Sequence, residues 1–135
     1  FNCFVLKKVL IALFLAMASG ISAQHLLTVQ FTGMSSDEGH VLVKVVNEKN
    51  EQVAGQEIPV SGGKATFSLK LKEGQYAISA FHDVNDNKEL DTNWMGIPKE
   101  KYGFSNNARG TFGPPDLKDQ LVEVRSDKSL SITLK

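Results

Sequence analysis

The chain has 135 residues with 15 basic and 15 acidic side chains, a formal net charge of zero, 41% hydrophobic residues and a single cysteine. Balanced charge without a basic cluster excludes the electropositive face on which nucleic-acid binding depends. One cysteine excludes a disulfide within the chain, so stability has to come from a core and from whatever the loops bind.

Lys7 and Lys8 precede an apolar run over residues 9–18, and small and polar residues lead from there to Ala23. This is the charged, apolar and cleavable order of a secretory signal peptide, and the run is too short for a comfortable membrane anchor. Cleavage after Ala23 is expected, giving a signal peptide over 1–23 and one domain over 24–135. An earlier small-residue site, Ala16 and Ala18, lies inside the apolar run and ranks second. Cys3 precedes the run, so it is not the lipid-bearing first residue of a mature lipoprotein. Loss of Lys7 and Lys8 leaves 13 basic against 15 acidic side chains, a net of −2. The expected product is periplasmic or extracellular, without a stable membrane anchor, and its length of about 110 residues suits a single domain with a real core.

Period-two alternation dominates this domain, and no helical stripe extends beyond two turns. Leu27, Val29 and Phe31 form one apolar row, and Val41, Val43 and Val45 form the next after a polar turn through Asp37 and Gly39. The segment 58–60 carries Pro59 and suits a sheet edge, because proline cannot donate to a central ladder. Gly62 and Gly63 turn the chain into a strand with Ala65, Phe67, Leu69 and Leu71 inward. After a turn at Glu73 and Gly74, Tyr76, Ile78 and Ala80 share one face and Ala77, Ser79 and Phe81 the other, as in a central strand. Two last strands are expected over 121–125 and 129–134. About seven short strands in one domain predict an all-β, antiparallel β-sandwich. Residues 83–120 follow neither period, and a loop that long in a compact domain is either functional or internally organised.

The start of that loop reads HDVNDNKELDTN and places Asp83, Asn85, Asn87 and Asp91 at relative positions 1, 3, 5 and 9, with Glu89 offering its backbone carbonyl at position 7. Oxygens at alternate positions of a tightly wound loop suit calcium, and an oxygen-only set does not suit zinc or copper. Asp83, Asp86, Glu89 and Asp91 against Lys88 leave the stretch three charges negative, a repulsion that a cation would relieve. The pattern is not an EF-hand. Lys88 stands where that motif has glycine, and Trp94 where it has a bidentate acid, so a further ligand has to come from Glu100, Asp116 or water. The alternative is that these residues bond their own backbone as ordinary turn formers.

The runs GQYAISAFHDVNDNKELDTN and GIPKEKYGFSNNARGTFGPP, residues 74–93 and 96–115, resemble the signature of a bacterial exported family, domain of unknown function 2141. More loosely, Glu73 and Gly74 leading into Tyr76 resemble transthyretin-like and carboxypeptidase-regulatory-like sandwich domains. The resemblance implies export and a β-sandwich and assigns no activity. It also implies glycine where this chain has Asp86 and Lys88, so those two residues face a positive φ at a cost of about 1 kcal/mol each.

His82 beside Asp83 invites a catalytic reading, but neighbouring strand residues point to opposite faces. No glycine-flanked serine elbow or mature cysteine offers a nucleophile. Loop carboxylates Asp83, Asp91, Glu100 and Asp116 leave a hydrolase open as the rival reading. Of the loop rings Trp94, Tyr102, Phe104 and Phe112, most are expected to pack on the sandwich, because ordering a loop costs about 1 to 2 kcal/mol per residue. Trp94 and Tyr102 are the two expected to remain available for ligand contact. The leading expectation is a non-enzymatic, calcium-stabilised binding or structural module of the envelope, with an envelope protein or glycan as partner; a carbohydrate-binding module is the other alternative.

Overall fold

A computed structural model of the chain describes residues 23–96, 98–111 and 113–135; apart from Ala23, the expected signal peptide lies outside them, as does Phe112. Eight strands form two sheets: β1 Gln24–Thr32, β2 His40–Asn47, β3 Gln52–Pro59, β4 Ala65–Lys72, β5 Gly74–Asp83, β6 Tyr102–Phe104, β7 Val122–Val124 and β8 Lys128–Thr133. One sheet has the order β4-β1-β8; the other runs β3-β2-β5-β6, with β7 also on β5. The expected β-sandwich is present. All pairings are antiparallel except β1 with β8, which is parallel because the chain crosses from β7 in one sheet to β8 in the other through residues 125–127.

The inner faces are the rows read from the alternation. Leu27, Val29, Phe31, Val41, Val45, Ile78 and Ile132 are fully buried, and Val43 and Phe67 nearly so. Leu69 is only partly buried at the margin of this core. β3 is an edge strand, as Pro59 suggests, and β5 is central, with β2 on one side and β6 and β7 in succession on the other. β3 is longer than its apolar end foretold, because Gln52 to Glu57 pair along β2 without any alternation of their own.

The residues 83–120 are internally organised. They contain β6, a 3-10 turn at Ser105–Asn107 and a short helix, α1, at Leu117–Gln120. β6 and β7 leave a gap along β5 opposite Ile78, whose N–H would otherwise be a buried donor without an acceptor. Ser105 fills that role: its Oγ accepts the Ile78 N–H at 3.0 Å and donates to the Gln120 carbonyl. Asn106 Nδ2 donates to the carbonyls of Asp119 and Leu121, and Asn107 Oδ1 accepts the Thr133 N–H. The outer edge of β6 pairs with the chain end, Tyr102 and Lys135 exchanging N–H to carbonyl bonds, which closes that side of the sandwich.

Candidate functional site

The acidic loop leaves β5 at Asp83, which is fully buried. Its Oδ1 and Oδ2 accept the N–H groups of Asn87 and Lys88 at 3.3 and 2.8 Å. Asn85 Oδ1 accepts the Asn87 N–H, and Asn87 Oδ1 the Glu89 N–H. Each side-chain oxygen therefore winds the next part of the loop, the habit that makes Asp and Asn turn residues. Asp91 closes the circuit by accepting the Nδ2 groups of Asn85 at 2.8 Å and Asn87 at 2.7 Å. Those bonds, Asn87's first, hold the Asp91 carboxyl below the usual carboxylate range, helped by the charge of Lys99.

The winding puts Asp86 at φ 55° and Lys88 at φ 66°, the two positions where the resemblance implies glycine. Lys88 turns its ammonium away from the loop to Glu57 on β3, at 2.7 Å, and this bond raises its pKa. His40 Nδ1 and Asp86 Oδ1 meet at 2.8 Å, tying the loop to β2. Glu100 holds both ends of the loop, accepting the N–H of Val84 at 2.9 Å and of Asp91 at 3.0 Å. Gly39 sits where a Cβ would run into the Asp83 carbonyl, so the turn before β2 packs directly under the loop. His82 points to the other side of β5, with Nε2–H donating to the Glu38 carbonyl at 2.6 Å.

Asp83, Asn85, Asn87 and Asp91 are thus joined in one hydrogen-bonded cluster, while Glu89 contributes only its backbone. Among the described residues no group of three or more His, Cys, Asp or Glu side chains is placed to hold a metal. Two carboxylates and two amides match calcium in kind. Their orientation is that of a self-bonded turn: Asn85 and Asn87 present nitrogen to Asp91, and coordination by all four requires both amides to turn over and give up bonds to the loop backbone. Glu100 has both oxygens on backbone N–H groups, and Asp116 is exposed ahead of α1 outside this network.

Beside the loop, the outer face of the five-stranded sheet carries two cross-strand rows. One runs Glu57, Leu42, Phe81, Tyr102 and the other Gly55, Lys44, Ser79, Phe104. The second row is small where the first is bulky, at Gly55 and Ser79, and the difference hollows a groove of about 730 Å³, rimmed at the loop end by Leu90. A cavity of about 340 Å³ continues it past Val46 and Ala77 to Pro114, Pro115 and Leu117. Phe81, Tyr102 and Phe104 are half-buried. Tyr102 and Phe104 meet edge to face at 5.8 Å, and the Arg109 guanidinium lies 4.7 Å from the Tyr102 ring centre while donating to the Tyr102 carbonyl. Phe104 packs on the outer face of the sandwich and lies in this groove because β6 pairs so that Gly103 faces inward: a Cβ there would meet Ile132 and Leu134. Trp94 is 92% exposed at the tip of a small hairpin and does not line the groove.

The bacterial family described as "Uncharacterized protein conserved in bacteria (DUF2141)" matches residues 29–133. The chain belongs to this family. No curated protein matches the sequence. Among solved structures, a fimbrial assembly protein from Parabacteroides distasonis ATCC 8503 is similar over 83% of this chain and 51% of its own, with 7% identity and a TM-score of 0.42; the chain spans about half its length. In this DUF2141 domain the SNN run of the signature is structural, since Ser105, Asn106 and Asn107 fasten the long segment to β5, β8 and α1. Nothing in the sequence marks Leu42, Lys44 or Gly55 as groove residues, and Ser79 and Phe104 stand out only as a strand face and a loop ring. Phe81 on the second face of a central strand was the one local signal; the rest depends on the pairing of four strands.

Proposed function

We propose that this DUF2141 domain is an exported, non-enzymatic binding module of the cell envelope, with the groove on its five-stranded sheet as the ligand site and the acidic loop, ordered by calcium, as its end wall. The observation that carries this reading is the groove itself. Its volume falls in the range of ordinary ligand pockets, and three half-buried rings surround a few polar groups, chiefly Lys44 and Ser79. A chain that buries one face of this sheet in the core leaves the other apolar and concave, which favours a bound partner such as an envelope protein or glycan.

Binding is favoured over hydrolysis because three of the four candidate acids are already engaged and the fourth, Asp116, is exposed outside their network. Asp83 and Glu100 each spend both oxygens on backbone N–H groups, and Asp91 accepts two amides. Support for calcium comes from the chemistry of Asp83, Asn85, Asn87 and Asp91 together with the two strained positions, Asp86 and Lys88, that bring them into one cluster. Among the described residues no helix is long and apolar enough to cross a membrane.

Two titrations test the two parts separately. The anionic apolar dye 8-anilinonaphthalene-1-sulfonate should bind saturably with enhanced emission, its rings among Phe81, Tyr102 and Phe104 and its sulfonate near Lys44. Ser79→Glu, which fills the hollow and opposes that charge, should remove the effect, and unchanged binding in that variant would contradict the site. Calcium should raise the melting temperature, by about 2.7 kcal/mol of stability at 100 times its dissociation constant. Magnesium should do much less. A calcium-independent melt would leave the loop as a self-bonded turn.

A further inference from the structure

The most exposed large apolar residues among those described are adjacent, Trp94 at 92% and Met95 at 62%. They form the tip of a hairpin that is built from backbone and Asn93 bonds and does not use their side chains. The Gly96 N–H donates to the Asn93 carbonyl at 2.9 Å, the Met95 N–H to Asn93 Oδ1 at 2.9 Å, and Gly96 supplies a φ of +79°. Thr92 bridges to Pro98, and the Lys99 N–H donates to the Asp91 carbonyl at 2.7 Å. Below that, Glu100 holds the Asp91 N–H. These bonds close the tip at Asn93, Met95 and Gly96, which lowers the ordering cost of any contact it makes.

The tip does not fill its own groove. Leu90, at its base, already forms the rim of that groove, and neither Trp94 nor Met95 lines it. An exposed apolar tip and a concave apolar groove thus occur on one chain. Charge agrees with a match between copies: Glu89, at the foot of the hairpin, has an exposed carboxylate with no partner among the described residues, and Lys44 in the groove is exposed with no ion pair. Like charge does not oppose the contact, because the groove's own acid, Glu57, is paired with Lys88.

We propose that the partner of the groove is a second copy of this chain, whose Trp94–Met95 tip enters between Phe81, Tyr102 and Phe104 with its Glu89 near Lys44. This rests on the groove being a binding site. A tryptophan buries about 150 to 250 Å², well below the roughly 800 Å² per partner of a stable interface, so the association is weak and needs high local concentration. Each contact leaves one tip and one groove unused. Copies therefore add head to tail unless the arrangement closes on itself.

Trp94 is the sole tryptophan, so its emission reports the contact directly. Protein recovered from expression of the full chain is followed by sedimentation velocity and fluorescence up to a concentration on the order of 1 mM, where weak contacts populate. Association with a blue shift of Trp94 emission is expected. Trp94→Ser, which lacks the tip, and Ser79→Glu, which lacks the groove, should each be monomeric, and their mixture should stop at a one-to-one dimer. Lys44→Glu should weaken association, and pairing it with Glu89→Lys should restore it. A wild-type chain that stays monomeric, or variants that associate as well as the wild type, would overturn the inference. If that monomer still binds the naphthalene dye, the groove remains a ligand site and only the choice of partner has failed; if dye binding fails too, both fall.

Discussion

The two sheets share one core but present unlike outer faces. On the three-stranded sheet, Thr28, Gln30, Thr66, Ser68, Lys70, Ser129 and Ser131 point outward, with Leu26 as the one large apolar side chain among them. On the five-stranded sheet the corresponding positions hold Leu42, Val46, Ala77, Phe81, Tyr102 and Phe104 around Lys44 and Ser79, with Glu57 on the β3 edge. Hydroxyls and amides on the first face are solvated by water or bond one another, as Ser68 Oγ does to Thr28 Oγ1 at 3.3 Å. Rings on the second face cannot be satisfied that way. The difference teaches that burial of the inner face is a matter of folding, whereas the apolar outer face requires another explanation, which the binding role proposed above would supply.

The core beneath both faces is the first place to break the comparison. Phe67→Ala should cost about 3 to 5 kcal/mol, lowering the urea midpoint and taking both faces with it in one transition. Next comes the segment that builds only the five-stranded side. Ser105→Ala leaves the buried Ile78 N–H without its acceptor and should cost about 1 to 3 kcal/mol. Amide exchange should then accelerate along β6 and α1 before β1, β4 or β8.

Smaller effects belong to the acidic loop. Lys88→Gly relieves a positive φ worth about 1 kcal/mol and loses an exposed ion pair to Glu57 that solvent screens. The net change in melting should be slight, between neutral and stabilising. Acid should act through Asp91. Its carboxyl titrates below the unfolded value, so its contribution to stability is present above the unfolded carboxylate pKa and is lost as pH falls through the lower folded one. Asp91→Asn should flatten that part of a melting-against-pH profile, and an unchanged profile would show that the loop circuit contributes nothing.

The rows that alternate were legible in the sequence because period two is a local property. Val29, Phe31, Val43, Phe67, Ile78 and Ile132 all fall on inner faces. β3 was half-read because QVAGQE lacks alternation, and its place is set by pairing with β2. The strand β8 is legible over 129–134, but its parallel pairing is not, since nothing in KSLSIT specifies a partner 101 residues away. In the loop, Asp83, Asn85, Asn87 and Asp91 lie in one hydrogen-bonded cluster, but their spacing does not say whether their oxygens face an ion or a backbone N–H. Tyr102 was singled out and lies in the groove; Trp94 was singled out and is exposed on the hairpin. The groove as a whole was invisible because it is a difference in side-chain size between two cross-strand rows, and those rows exist only once four strands are in register.

The most direct test of that asymmetry is amide chemical-shift mapping with 8-anilinonaphthalene-1-sulfonate. The expected result is saturable perturbation confined to Leu42, Lys44, Gly55, Ser79, Phe81, Tyr102 and Phe104, with Thr28, Gln30, Thr66 and Ser68 unmoved. Shifts spread evenly over both outer faces, or absent from the five-stranded one, would contradict the groove as the binding surface of this domain.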